Sequence, residues 1–428
     1  MNETVSKIWH SSSIRNVGQL LSASVIAQAI GLLVYPVLTR IYAPEDFALL
    51  SLFLSIANVI VLLATADYQS AIVLPKEETK AHALVHLCTF LLIVSTLIMS
   101  LSIFFARPIS AIFKAPDLAR YWWLMPLFVF VTGMWNILSY WYIRRKAFAR
   151  ISGYQMTQSI FAASGKVGLG FMGILQSGML LASVFASLLS LIISIGLAWR
   201  KCIHELFCIN WTQLKSVAKE YANFPKFNLP KALVNMVGVS LPIWILTPQF
   251  GLENIGRLSL AITASIVPLS LIARACNQVL YQRISESVQQ QRTIRPLVNT
   301  FILWTGSIMI IGMAGVYIFL PQLVTLLFGQ EWLETATIIR RLFPYLILTP
   351  ICGSICFLSD VFSKQKIAMW METGYLASLT LALLIGTHTC SFLTCVSLFA
   401  WIKFAYLAIQ LVWFLSLIRG YHKCKTHL

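Results

Sequence analysis

Phe47–Ala66 reads FALLSLFLSIANVIVLLATA, twenty residues without one charged side chain. Wound as a helix it is about 30 Å long, the thickness of a bilayer's hydrocarbon core. Eleven further apolar runs of comparable length follow or precede it: Val17–Thr39, Ala81–Phe105, Tyr121–Ile143, Gln155–Leu175, Met179–Trp199, Leu229–Phe250, Leu258–Leu280, Thr300–Leu320, Leu342–Ser359, Ile367–Thr387 and Phe392–Leu417. Only 11% of the 428 residues are charged, against about a quarter in a soluble domain. That is too little charge to cover a water-facing surface, so most of the surface must face lipid. Only helices or closed barrels satisfy their backbone there, and runs of this length mean helices. The expected fold is all-α and polytopic, with about twelve transmembrane helices.

The net charge of +17 does not point to nucleic acid. The basic residues fall between the apolar runs and form no block on one face. With the N-terminus inside, 22 of the 32 lysines and arginines lie in inner segments, seven in outer segments and three within spans. This is the positive-inside pattern, and it places both termini in the cytoplasm. The first fifteen residues are polar and the first apolar run is too long for a leader's core, so no cleaved leader is expected. Tyr121, Trp122 and Trp123 open the fourth span and Tyr140, Trp141 and Tyr142 close it, as interfacial anchors would.

The longest connection runs from Arg200 to Asn228. Trp211, Leu214, Val217, Ala218 and Tyr221 recur in it at helical spacing, which predicts a short amphipathic helix on the inner leaflet, ended at Pro225. It divides the chain into an N-terminal six-helix bundle (1–199), a cytoplasmic linker (200–228) and a C-terminal six-helix bundle (229–428). The halves resemble each other. Glu45-Asp46-Phe47-Ala48-Leu49-Leu50-Ser51-Leu52 in one corresponds to Glu253-Asn254-Ile255-Gly256-Arg257-Leu258-Ser259-Leu260 in the other, and each follows a span containing a proline, Pro36 or Pro242. Two six-helix repeats of the same orientation imply a pseudo-two-fold axis along the membrane normal and a central cavity.

Several segments resemble the polysaccharide-unit (O-antigen or capsule, Wzx-type) flippases of the multidrug/oligosaccharidyl-lipid/polysaccharide exporter superfamily. These are Arg15-Asn16 with the span after it, Leu38-Thr39-Arg40-Ile41-Tyr42-Ala43-Pro44-Glu45-Asp46-Phe47, Ala71-Ile72-Val73-Leu74-Pro75 with Glu77 and Glu78, Leu241-Pro242-Ile243 with Phe250-Gly251, and Phe328-Gly329-Gln330-Glu331-Trp332. The chain departs from that pattern at Ala48, where glycine is usual, and at Asp67-Tyr68-Gln69, where many relatives carry an Arg-Tyr-Glu-like triplet. The resemblance implies translocation of an undecaprenyl-diphosphate-linked oligosaccharide across the bacterial inner membrane for surface polysaccharide (lipopolysaccharide O-antigen or capsule), alongside a polysaccharide polymerase and chain-length machinery.

Charges inside spans cost about 2.5–3.5 kcal/mol each on insertion scales and need a reason. Lys166, Arg274 and Lys403 lie in the fifth, eighth and twelfth spans. A cationic cavity would offset the desolvation of a diphosphate, and Arg274 offers the planar fork suited to phosphate oxygens. The plain alternative is a structural ion pair or snorkelling to the interface. Arg15 and Arg40 bracket the first span and are further candidates for phosphate contact or simple anchoring. Asp67 lies 22 residues after Glu45, and Arg274 lies 21 after Glu253. The repeat thus sets opposite charges at matching depths, a candidate gate or a static pair. Glu372 is a candidate proton site. Coupling to protons or sodium stays open, and no other cofactor is expected.

His82 and His86 have the i, i+4 spacing of a metal pair but lack a third ligand, so a helix face is expected. Cys352 and Cys356 read as small apolar residues. No Gly-rich phosphate loop or Gly-x-Ser-x-Gly turn is present, and the chain is not expected to be an enzyme. Two other readings remain. A cation-coupled drug antiporter of the same superfamily would favour an acidic membrane interior, and a membrane glycan polymerase or glycosyltransferase would favour a large outer loop with catalytic residues.

Overall fold

Pro44 opens the helix after the first span because its missing N–H is one that any helix leaves unpaired in its first turn. Asp46 then reaches back, and its carboxylate accepts the N–H of Ala43 at 3.1 Å. The computed structural model describes residues 24–198, 211–289, 294–362 and 364–426, and helices dominate throughout, with no strand among the described residues. The first elements are α1 (Ser24–Leu38) and α2 (Pro44–Ala64). Beyond α2, Ala66 and Asp67 both take left-handed φ angles, 49° and 58°. Such geometry costs a non-glycine residue about 1–2 kcal/mol. The sharp turn leads into a 3₁₀ turn at Tyr68–Ala71 and keeps Asp67 buried.

The first compact unit, Met1–Ser240, continues with α3 (Glu78–Leu101), two short helices α4 (Ala106–Ile112) and α5 (Pro116–Tyr121), then α6 (Leu124–Arg144), α7 (Phe148–Phe171) and α8 (Leu175–Ala198). Leu84, Cys88 and Leu92 of α3 pack with Val129, Trp141 and Tyr142 of α6 in one core. This differs from the expected interfacial belt: Trp122, Trp141 and Tyr142 are buried in the protein, Tyr140 is partly buried and Trp123 is half exposed. Arg144, counted above as a topological charge, holds the preceding inner turn in place. Its guanidinium donates to the carbonyl of Pro75 at 2.6 Å and pairs with Glu78 at 3.4 Å.

The linker helix is present as α9 (Trp211–Glu220), but protein rather than lipid covers its apolar face. Leu214 and Val217 are buried in the same core as Leu84, and the Tyr68 hydroxyl donates to the carbonyl of Ala218 at 3.0 Å. Lys80 and Glu220 close the edge of this contact with a 3.2 Å ion pair.

A continuous run, α10 (Leu229–Gln289), leads into the second unit, Leu241–Leu428. It breaks at Gly251, with φ 80° and ψ 167°, a conformation open essentially to glycine alone. After it come α11 (Arg295–Phe328), α12 (Leu333–Ile355), α13 (Gln365–Thr389) and α14 (Phe392–Thr426). Between α11 and α12 the same device recurs: Gly329 has φ 99° and ψ 169°. The two Phe-Gly pairs of the motif segments therefore each mark a place where a helix stops and restarts. Just beyond them Arg257 joins the two restarted helices, pairing with Glu253 at 2.6 Å and with Glu334.

Each of the twelve expected stretches carries a helix where it is described. Among the described residues nine helices are long and apolar enough to cross a membrane, the seventh and eighth stretches being counted as one. Helix α7 has the length, at 24 residues, but Arg150, Lys166 and its polar and glycine residues dilute its hydropathy. Helix α1 is shorter.

Candidate functional site

The polar groups inside these apolar units gather at three places, two in the first unit and one in the second. In the first, Tyr42 forms a wedge between α7 and α8. Its hydroxyl donates to the backbone carbonyl of Lys166 at 2.7 Å. A methyl group at Gly178 would stand 2.4 Å from the Tyr42 oxygen, so this approach requires glycine. Lys166 itself is half-buried on α7, and its ammonium meets no acidic partner among the described residues.

Asp67 sits at the other polar cluster of this unit. Its carboxylate accepts from the Ser70 hydroxyl at 2.7 Å and from the Gln69 amide at 3.3 Å, and Ser70 also lies 3.3 Å from the Tyr140 hydroxyl. Burial beyond the end of α2 pushes the Asp67 carboxyl up from the ordinary range, and the Ser70 hydrogen bond opposes that shift.

In the second unit, α12, α13 and α14 enclose a cationic cage. The Lys403 ammonium stands 4.3 Å from the centroid of the Tyr375 ring and 5.0 Å from that of Tyr406. The rings face each other at 4.7 Å. Glu372, one turn before Tyr375, is half-buried and near enough to act electrostatically on Lys403 and Tyr406. Tyr345 from α12 is fully buried beside this group, and its hydroxyl has no hydrogen-bond partner among the described residues. Such a hydroxyl costs about 1–3 kcal/mol unless something polar completes it.

The remaining expected residues lie apart from these clusters. Arg274 is exposed on α10, one position past Ala273, which packs against α12 at Gly353 and accepts a hydrogen bond from Ser354. Arg40 is exposed at the start of the link into α2. Arg15 lies outside the described residues. His82 rests against Trp141 at 5.2 Å, and no cluster of metal-ligating side chains occurs among the described residues. The tyrosines of the cage went unremarked above, although Glu372/Tyr375 and Lys403/Tyr406 share an i, i+3 spacing that pairs each charge with a ring on one helix face.

Residues 37–337 match the family described as Polysaccharide biosynthesis protein, well over half of the chain. The chain belongs to that family. One relative of this polysaccharide biosynthesis protein is the succinoglycan biosynthesis transport protein ExoT of Rhizobium meliloti (strain 1021). It is 22% identical over 360 residues, covering 83% of this chain and 71% of the relative. Among solved structures, lipid II flippase MurJ in an inward closed conformation superposes with a TM-score of 0.72 at 14% identity, over 94% of this chain and 87% of that one. An inward-facing multidrug resistance MATE family transporter of the MOP superfamily superposes with a TM-score of 0.61 at 15% identity, over 96% of this chain and 99% of that one. At these identities the likeness is one of fold. This polysaccharide biosynthesis protein is thus a multi-pass membrane protein with the fold of MOP transporters.

Proposed function

We propose that the chain moves an undecaprenyl-diphosphate-linked oligosaccharide repeat unit from the inner to the outer leaflet of the bacterial inner membrane by alternating access. The observation that carries this reading is Lys166: a half-buried cation in an apolar helix, with no acidic partner among the described residues, in a chain of the polysaccharide biosynthesis family. An unpaired membrane cation is costly, and an anionic diphosphate would repay it by charge-assisted hydrogen bonds. The relative named for succinoglycan transport and the flippase fold support the same direction.

In this proposal the chain crosses the membrane twelve times, with both termini cytoplasmic. Lys166 and Arg274 receive the diphosphate in their respective units, and Arg15 and Arg40 serve at the ends of the first span. Glu372 couples the cycle to protons or sodium: Lys403 holds the aromatic cage where a soluble cation would compete for the same carboxylate. Asp67 and Arg274 act as a gate. A polysaccharide polymerase takes the product. The deciding experiment deletes the gene in its host and follows lipid-linked units. Complete units held on the cytoplasmic side, released by the wild-type chain but not by Lys166→Ala or Arg274→Ala, are expected. Normal surface polysaccharide with altered drug sensitivity would replace this reading by an antiporter. Lost polymer with units already outside would replace it by an enzyme.

A further inference from the structure

Between α3 and α6 the chain makes a detour through α4 and α5 that borders an open cavity of about 820 Å³. This size suits a small ligand. Arg107, Lys114 and Arg120 all line it, and no acidic side chain does. None of the three forms an ion pair among the described residues. Arg257, another outer basic residue, pairs with two glutamates; Arg120 of the cavity has only a ring beside it, Tyr121 at 5.9 Å from the guanidinium. Under the expected orientation, three of the seven outer basic residues therefore converge on one cavity, on the side where cations are otherwise depleted.

The detour is firmly built. Lys114 adopts a left-handed φ of 48°, which turns α4 into α5. The Ser110 carbonyl accepts the N–H of Ala115 at 3.1 Å, and Ala115 and Leu118 are buried beneath. The Trp122 indole donates to the Ser102 hydroxyl at 2.8 Å, tying the two ends of the segment together. The rim is apolar: Phe104 lines the cavity and is 84% exposed, and Phe105 and Ile112 stand exposed beside it. The three cations are exposed around a buried base of Ala106, Ser110 and Ala115, and cations beside exposed apolar side chains suit an anionic group attached to an apolar body. Two guanidinium forks suit phosphate oxygens in particular.

We propose that this cavity is a phosphate-binding site distinct from the cations inside the spans, taking a phosphate or diphosphate group from a lipid headgroup or from solution. It goes beyond the translocation reading and does not need it. The test uses the purified full chain in phosphatidylcholine nanodiscs, alone or doped with phosphatidylglycerol, with retained lipid counted by native mass spectrometry. Inorganic diphosphate is titrated calorimetrically into the undoped discs. Phosphatidylglycerol retention marks a lipid source, and diphosphate binding without it marks a soluble one. Arg107→Gln with Arg120→Gln should weaken whichever is seen about tenfold or more. Lys219→Gln, an exposed charge on α9, should leave it unchanged. Thermal melting equal to the wild type shows that the double variant is folded. Binding of neither probe, or equal binding by the double variant, would overturn the site whether or not the chain translocates glycans.

Discussion

Lys403 points its ammonium at the face of Tyr375, 4.3 Å from the ring centroid, across the seam between α13 and α14. A cation held this way gains about 0.5–2 kcal/mol from the ring's negative face. Tyr375→Phe keeps the ring and should leave stability nearly unchanged. Tyr375→Leu should cost about 1–2 kcal/mol more than its lost packing. In a Lys403→Met background that excess should vanish. Melting temperatures of the four proteins, read as a double-mutant cycle, check it.

Tyr42 and Gly178 form the second test. A Cβ at Gly178 would meet the Tyr42 hydroxyl at 2.4 Å, so Gly178→Ala should destabilise by about 1–3 kcal/mol through overpacking. Tyr42→Phe removes the crowded oxygen and its bond to the Lys166 carbonyl, at a cost of about 1 kcal/mol. The double variant should then be more stable than Gly178→Ala alone. Equal or lower stability would mean that the wedge does not govern this contact.

Gly251 and Gly329 share an extended ψ and a positive φ, a region closed to side chains. Open space surrounds both would-be Cβ positions, so any loss on Gly→Ala substitution comes from backbone strain and not from collision. Each change should cost about 1–3 kcal/mol, and the two should add, measured by thermal unfolding in detergent.

Burial raises the Asp67 carboxyl above its unfolded-state value. The folded state therefore prefers the protonated form. That preference stabilises fully at pH below the ordinary carboxylate range and is lost as pH rises through the folded value. Asp67→Asn keeps an oxygen for Ser70 and carries no charge. It should flatten the melting temperature against pH over that window and leave the protein relatively more stable at neutral pH. A wild-type-like slope in the variant would remove Asp67 as the titrating group. If Asp67→Asn and Arg274→Gln each leave transport intact, their proposed gating role fails.

Much of the architecture was legible in the order of residues. Long uncharged runs dictated helices because a backbone in lipid must satisfy its own hydrogen bonds. Phe250-Gly251 and Phe328-Gly329 stood out only as matches to a family pattern, and the backbone angles show them to be helix breaks. Lys166, Arg274 and Lys403 announced themselves because charge in an apolar run is expensive.

Packing settled the rest. Trp141 and Tyr142 looked like interfacial anchors and are core, and the apolar face of α9 looked lipid-bound and rests on Leu84 and its neighbours. The aromatic cage joins Tyr375 to Lys403 from separate helices, and the basic cavity exists only once α4 and α5 fold back at Lys114. The reason is physical. Lipid tails and a protein interior are equally apolar, so hydropathy says how far a helix lies from water but not which face meets a neighbour. Partners for buried charges and aromatic rings are chosen by that facing, which depends on every helix at once.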